Sequence, residues 1–277
     1  MKSRTKKRSA LILGLCLCAY PLVASLFERY DQQNAISTYQ SEVITNSDEI
    51  QKCLENATRY NEMLHQSRKA VVAGLQEGIL SEANYLQELN LTRTGMMGSI
   101  EIPKISVNLP IYHGTSDAVL SNAVGHVEGT SLPVGGNNTH SILTGHRGLP
   151  SSQLFTRLDE MEEGDLFYVK VCDEILAYQV QQIQVVKPEE VECLEIQQDK
   201  DLVSLITCHP YGINTHRLVI TGERTTYEET EYLSIGKELP SVRELVFMIL
   251  PFILLLAVIL NYIKERKEKK RAETKIL

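Results

Sequence analysis

Two residues in the C-terminal half of the chain have the types and spacing of a covalent catalyst. Cys208 closes an apolar run that extends from Leu202 to Ile206, and Arg217 opens a second run, Leu218 to Ile220. A Pro210-Tyr211-Gly212 turn lies between them. Short β-rich runs on either side of a Pro/Gly turn predict two strands joined by a loop. The first strand then delivers a thiol at its C-terminal end, and the second a guanidinium near its start. A neighbouring cation favours the thiolate, which is the nucleophilic form of cysteine. Alone, a cysteine at a strand end reads as a buried structural residue, because free cysteine is among the most buried types. Alone, the arginine reads as half of a surface ion pair, which is worth little. Together they suit acyl transfer: the thiolate attacks a carbonyl, and a fixed donor meets the developing negative charge, an arrangement worth ~3–4 kcal/mol in comparable sites.

Acyl transfer also needs a group that moves protons near neutral pH, and the chain has seven histidines. His209 adjoins the thiol, begins the turn and could rim a cleft. His216 adjoins Arg217, but alternation along a strand sends it to the opposite face. His113, His126 and His140 have ordinary core or surface readings. No His-Glu-x-x-His or other metal-ligand spacing occurs, and no acidic run has an EF-hand pattern, so no metal and no cofactor is expected.

Ser204-Leu205-Ile206-Thr207-Cys208 resembles the sortase signature, in which a Thr-x-Thr-Cys-like strand end carries the nucleophile. The stretch from Pro210 through Tyr211, Gly212, Ile213, Asn214, Thr215 and His216 to Arg217 is similar to the class C, pilus-assembling branch. Upstream, Asn138-Thr139-His140-Ser141-Ile142-Leu143-Thr144-Gly145-His146-Arg147-Gly148 resembles the segment that supplies the sortase histidine. Met97-Gly98 and Glu101-Ile102-Pro103-Lys104-Ile105 look like the start of the sortase barrel, and Tyr85-Leu86 and Leu89-Asn90 like the class C lead-in to it. The resemblance covers residues 85–224, and three segments in order are specific where a lone Thr-Cys is not.

The resemblance implies a sortase-like closed β-barrel with Cys208 as nucleophile, His146 as acid–base group and Arg217 as stabiliser of the oxyanion or its parent carbonyl. Arg147 and Arg224 are set aside for that role, since neither sits on the strand beside Cys208. Thr207, Thr144 and Tyr211 are the expected substrate contacts. The implied reaction is transpeptidation. An LPxTG-like sorting signal on an exported pilin is cut through an acyl-thioester, and a pilin lysine takes the acyl group in an isopeptide bond. A housekeeping sortase acting on cell-wall precursor is the near alternative, and a non-catalytic pilin-binding membrane scaffold the distant one. A cysteine protease lacks its papain-like sequence context. One feature departs from the branch. Class C sortases often carry an Asp-Pro-aromatic lid upstream of the lead-in, and this chain has no proline between Pro21 and Pro103. The cleft is therefore expected to be open or covered differently.

The elements that must hold this chemistry follow from patterning. Residues 31–90 carry apolar side chains at three- and four-residue steps, namely Ile36, Tyr39, Val43 and Ile44, then Ile50, Cys53, Leu54, Ala57, Tyr60, Met63 and Leu64, which predicts helices packed on the domain. Asn46-Ser47-Asp48 reads as a turn and N-cap between two of them. From Gly98 the pattern changes to period two, and strands are predicted at 98–105, 109–112, 140–144, 166–171, 175–186, 202–208 and 218–222. Residues 114–121, 152–159 and 200–201 read as inserted turns or short helices. The whole is mainly β, with an N-terminal helical segment.

The chain has 277 residues and a net charge of −7, from 28 basic and 35 acidic residues, but the charge is uneven. Lys2, Arg4, Lys6, Lys7 and Arg8 crowd one end, and Lys264, Arg266, Lys267, Lys269, Lys270, Arg271 and Lys275 the other. Inside these clusters, residues 9–27 and 245–263 carry no charge, and each approaches the ~20 residues that span a bilayer as a helix. The basic clusters place both termini in the cytoplasm and the middle outside. Basic tails here belong to a membrane rather than to nucleic acid. Val23-Ala24-Ser25 allows a cleaved signal peptide as the competing reading of the first stretch. The expected organisation is a basic tail 1–8, an anchor 9–27, a helical extension 28–95, the barrel 96–226, a linker 227–244, a transmembrane helix at 245–263 and a basic tail 264–277. Of six cysteines, four fall in the exported part, without disulfide or Cys-x-x-Cys spacing, and Cys172 with Cys193 is the pairing that two strands could create.

Overall fold

The computed structural model describes residues 2–45, 47–72, 85–149, 152–236 and 242–274. These form two compact units, residues 28–238 and the two terminal stretches 1–27 and 239–277.

In the larger unit, α1 (Lys2–Thr45) contributes its C-terminal half, and α2 (Ser47–Val72) follows. The break falls at the expected Asn46-Ser47-Asp48, of which Asn46 lies outside the described residues. Ile36, Tyr39 and Val43 of α1 are buried, as are Ile50, Ala57, Tyr60 and Leu64 of α2, so these positions mark one inward stripe, whereas Ile44 and Met63, expected on it, are 83% and 40% exposed because they fall one residue off its spacing. Buried polar groups tie these helices to the barrel. The Tyr39 hydroxyl donates to the Met97 carbonyl at 2.9 Å, and Asn61 pairs with both backbone groups of Leu132 at 2.7 and 3.0 Å.

Eight strands close a barrel: β1 (Met96–Ile102), β2 (Val107–His113), β3 (Val124–His126), β4 (Thr139–Thr144), β5 (Leu166–Val171), β6 (Glu174–Val186), β7 (Asp201–His209) and β8 (His216–Thr225). Around the barrel their order is β1-β2-β3-β4-β7-β8-β6-β5, with β5 returning to β1. β2–β3 and β4–β7 are parallel and the other pairs antiparallel. Val203 and Leu205 of β7, Leu143 of β4 and Leu218 and Ile220 of β8 belong to the interior cluster. Full burial of each such side chain stabilises the barrel by roughly 1.5–3 kcal/mol. A short helix, α3 (Asp117–Leu120), falls within the expected insertion 114–121, and a 3-10 turn, Leu158–Glu160, overlaps the end of the one expected at 152–159.

Two expectations need correction, and the Cys172–Cys193 pairing that the sequence left open does not form. β3 is absent from the strand predictions because three residues, Val124-Gly125-His126, are too few to show a period. Asp201 opens β7 instead of forming a turn, because its backbone continues the parallel register with Thr139. Cys172 and Cys193 are both free thiols: Cys172 sits in the β5–β6 turn, whereas Cys193 sits in a separate 3-10 turn, Glu192–Leu194.

After β8, α4 (Glu229–Ser234) returns to the barrel's outer face, where Tyr227, Tyr232 and Ile235 pack on Leu166, Tyr168 and Ala177. In the smaller unit, α5 (Val242–Thr274) is helical throughout. The spans expected at 9–27 and 245–263 fall on α1 and α5, and part of each lies outside the residues whose side chains are described. Among the described residues, no helix is long and apolar enough to cross a membrane. The segment 73–84, upstream of the lead-in where a lid would stand, also lies outside the described residues.

Candidate active site

β7 lies between β4 and β8, and the three strands assemble the site at one end of the barrel. Cys208 stands directly opposite Arg217 in the antiparallel β7–β8 register, with His209 opposite His216. Paired residues point to the same face, so Cys208 and Arg217 share one and His209 and His216 the other. Because Leu205 and Leu218 face the core, the alternation turns Cys208 and Arg217 outward, where substrate can reach them. Both are half-buried.

His146 comes from the strand on the other side. β4 and β7 run parallel with Thr144 beside Ile206. The contact continues past the strand end: the Gly145 N–H donates to the Ile206 carbonyl at 3.1 Å, and Thr207 Oγ1 donates to the Gly145 carbonyl at 2.8 Å. β4 ends at Thr144, and His146 follows two residues past its pairing with Ile206, as Cys208 does along β7. Gly145 permits this path, since a Cβ there would lie 2.9 Å from the buried Phe155 ring. Phe155 N–H in turn donates to the His146 carbonyl at 3.1 Å. Neither ring nitrogen of His146 has a hydrogen-bond partner among the described residues, which leaves the imidazole open to a substrate amine.

Arg217 Nη1 donates to the carbonyls of Asn214 and His216, at 3.3 and 3.0 Å. These bonds fold the guanidinium onto its own turn. It forms no ion pair among the described residues, so its charge is not neutralised by a carboxylate. Nε and Nη2 stay available to an oxyanion.

Arg147, set aside from the sequence as a stabiliser, has another place. Its side chain is only 5% exposed and forms an ion pair with Asp159 of the 3-10 turn. Nη1 lies 3.3 Å from His209 Nδ1. Arginine only donates, so Nδ1 is the acceptor in this contact. The guanidinium also sits 5.7 Å from the Tyr211 ring centroid. Tyr211 rests on Gly148, whose added Cβ would come within 2.7 Å of that ring. Arg147 and Gly148 thus join the segment that carries His146 to the loop that follows Cys208. The signal was visible only as adjacency to His146; nothing in the sequence showed which loop it would reach.

The expected substrate contacts divide. Tyr211 is 42% exposed at the rim. Thr207 is 2% exposed, with its hydroxyl bound to Gly145, and Thr144 Oγ1 donates to the Ile206 carbonyl at 3.3 Å. Both threonines join β4 to β7 and so fix the offset between His146 and Cys208. Below them His140 Nε2 lies 2.8 Å from Ser204 Oγ, which lies 2.7 Å from Thr221 Oγ1, and His140 Nδ1 donates to the Glu195 carbonyl at 2.9 Å. This network straps the β6–β7 connection over the outer face of the three strands. Elsewhere, His126 is fully buried and burial pushes it down to about 4. Its Nε2 faces the Ser131 carbonyl at 2.8 Å and its Nδ1 the Tyr85 hydroxyl at 3.0 Å, a neutral core histidine. His113 is 8% exposed and bonded to the Gly95 and Glu88 carbonyls. Among the described residues, no group of His, Cys, Asp and Glu is arranged to hold a metal ion.

A thiol opposite a guanidinium that has no carboxylate partner among the described residues, with an imidazole just past the end of the neighbouring strand, is the equipment of a cysteine acyl-transfer enzyme. A profile described as "Sortase domain" matches residues 100–225, a range that contains all three. Sortase C1 of Streptococcus agalactiae is 43% identical over an alignment that covers 70% of this chain and 100% of that one, with a TM-score of 0.64. Sortase C of Clostridium perfringens, solved with its C-terminal cell wall sorting motif, is also 43% identical, covering 70% and 99%, with a TM-score of 0.61. Sortase D of Bacillus subtilis is 31% identical over 132 residues, 47% of this chain and 64% of that protein. The match therefore spans just under two thirds of that relative's length. The chain belongs to the sortase family of cysteine transpeptidases, and its structural neighbours place it with the class C branch.

Proposed function

We propose that the protein is a membrane-anchored pilin transpeptidase. The observation that carries this reading is the outward-facing Cys208–Arg217 pair, with His146 just past the end of the neighbouring strand β4. The Cys208 thiolate attacks the carbonyl of the threonine in an LPxTG-like sorting signal. Arg217 donates to the oxyanion that forms. The Thr–Gly bond breaks, His146 gives its proton to the departing glycine amine, and the acyl group remains on Cys208 as a thioester. A lysine ε-amine of the next pilin then attacks, His146 takes its proton, and an isopeptide bond replaces the thioester. The sorting motif bound by the Clostridium perfringens relative supports the substrate class. Kinship with the class C branch supports lysine as the acceptor.

Membrane anchoring is part of the same reading. Residues 245–263 carry no charge, and Phe252, Ile253, Leu256 and Leu260 of α5 are all more than half exposed. Apolar side chains with no protein cover suit a lipid environment. With both basic ends in the cytoplasm, the catalytic unit faces outward, and enzyme and exported pilins share one surface, which raises their effective concentration. The test is to supply the acylated enzyme with lysine-bearing pilin or with wall-precursor amine. Transfer to the pilin lysine is expected. Transfer to the wall precursor alone would replace this reading with the housekeeping one.

A further inference from the structure

Cys53 and Cys172 have no part in the chemistry above. Although they are distant in sequence, the fold brings them together. Cys172 occupies the β5–β6 turn at φ +51° and is 8% exposed, its thiol within the core cluster. Cys53 is half-buried on α2 and packs against the same cluster. Leu54 and Thr58 of α2 line one cleft with Glu174, which starts β6, so this helix lies along the turn. Each thiol is the neighbour that most affects the other's ionisation. Tyr39 of α1 closes the group: its hydroxyl accepts from Cys172 N–H at 2.9 Å while donating to Met97 O. The backbone of Cys172 is thereby held against the helical extension.

We propose that Cys53 and Cys172 form a disulfide in the mature protein, stapling the helical extension to the barrel. The oxidant is the disulfide of an exported thiol–disulfide oxidoreductase. The Cys53 thiolate attacks it, a mixed disulfide forms, and one partner sulfur leaves as thiolate. Cys172 loses its proton and attacks Cys53 Sγ, and the second partner sulfur leaves. Two thiols of this chain are oxidised, one partner disulfide is reduced to a dithiol, and two protons pass to the partner. The order follows from the environment. Cys53 is the more exposed, and the Cys172 hydrogen bond lowers its pKa against the opposing effect of burial. That same bond, then burial, raises Cys172. The thiolate of the pair therefore resides on Cys53.

The bond would close a loop of about 120 residues, and long loops gain most from closure in the chain-entropy model. Cys193 is excluded as the partner, because its thiol is directed to the Glu190 carbonyl at 4.0 Å in its own turn.

The full chain in detergent is treated with oxidised glutathione, alkylated and mapped without reductant. One peptide pair joining Cys53 to Cys172 is expected, with Tm raised by roughly 5–10 °C over the reduced chain. Cys53→Ser should lose both the pair and the shift, and Cys193→Ser should keep both. Alkylation of both Cys53 and Cys172 after oxidation would overturn the proposal, as would a Cys172–Cys193 pair. The same map on chain taken from producing cells, quenched with alkylating agent, must show the bond already formed; free thiols there would overturn it for the native protein.

Discussion

Arg147 gives a sharp quantitative test of how the site is held. Arg147→Met keeps most of the side-chain volume and removes every polar contact. The Nη1–His209 bond contributes about 1 kcal/mol. The guanidinium on the Tyr211 ring adds roughly 0.5–1 kcal/mol. The ion pair with Asp159 is discounted to about 0.5 kcal/mol, because the aspartate is 42% exposed. Together, about 2–2.5 kcal/mol holds the loop after Cys208 against the segment carrying His146. At about 1.4 kcal/mol per factor of ten, loss of that restraint lowers kcat/KM by roughly 30–70-fold. The assay is steady-state cleavage of a sorting-signal peptide, with thermal unfolding in parallel. Because Cys208 and Arg217 stay paired on their strands, the loss should fall mainly on kcat. A variant within threefold of the parent in kcat/KM, at unchanged Tm, would refute the claim that Arg147 positions the site.

Three further outcomes follow from the structure. Arg217→Lys keeps the charge but loses the planar fork, and should lower kcat about 100-fold or more with Tm nearly unchanged; a near-parental kcat would remove Arg217 from the oxyanion role. Gly148→Ala places a Cβ 2.7 Å from the Tyr211 ring at φ +83°, and should cost about 1–2 kcal/mol in urea unfolding, whereas an unchanged midpoint would show that Tyr211 does not rest there. His126 is 6.5 unperturbed and about 4 when folded, so the unfolded chain takes up its proton first. Its stabilising contribution is whole above about pH 6.5 and lost as pH falls towards 4, about 3 kcal/mol in all; His126→Gln should flatten that part of the pH profile, and an equally steep profile in the variant would assign the acid loss elsewhere.

The parts of the fold legible in the sequence are those written in local pattern. The stripe through Ile36, Tyr39 and Val43 gave the helices, and the apolar runs on either side of the Pro210–Gly212 turn gave the strands that carry Cys208 and Arg217. The Cys208–Arg217 pairing was readable because a short loop fixes hairpin register. His146 was not accessible in that way. It reaches Cys208 through a parallel pairing between strands 62 residues apart, as with Thr144 and Ile206, and no local period encodes that; a resemblance to known sequences was needed to choose it among seven histidines. The same limit hid Arg147's reach to His209 and the meeting of Cys53 with Cys172, both non-local contacts. Thr207 and Thr144 were expected only as substrate contacts, and that their hydroxyls join two strands is a non-local feature which no sequence pattern shows.

The most direct measurement is the intact mass of the full chain in detergent after mixing with an LPxTG-type peptide, beside Cys208→Ala. The account predicts an added acyl fragment on the parent alone, lost on addition of a lysine-bearing pilin as the isopeptide product appears. Cleavage of the peptide by Cys208→Ala at the parental rate would contradict it, because no thioester on Cys208 would then lie on the path.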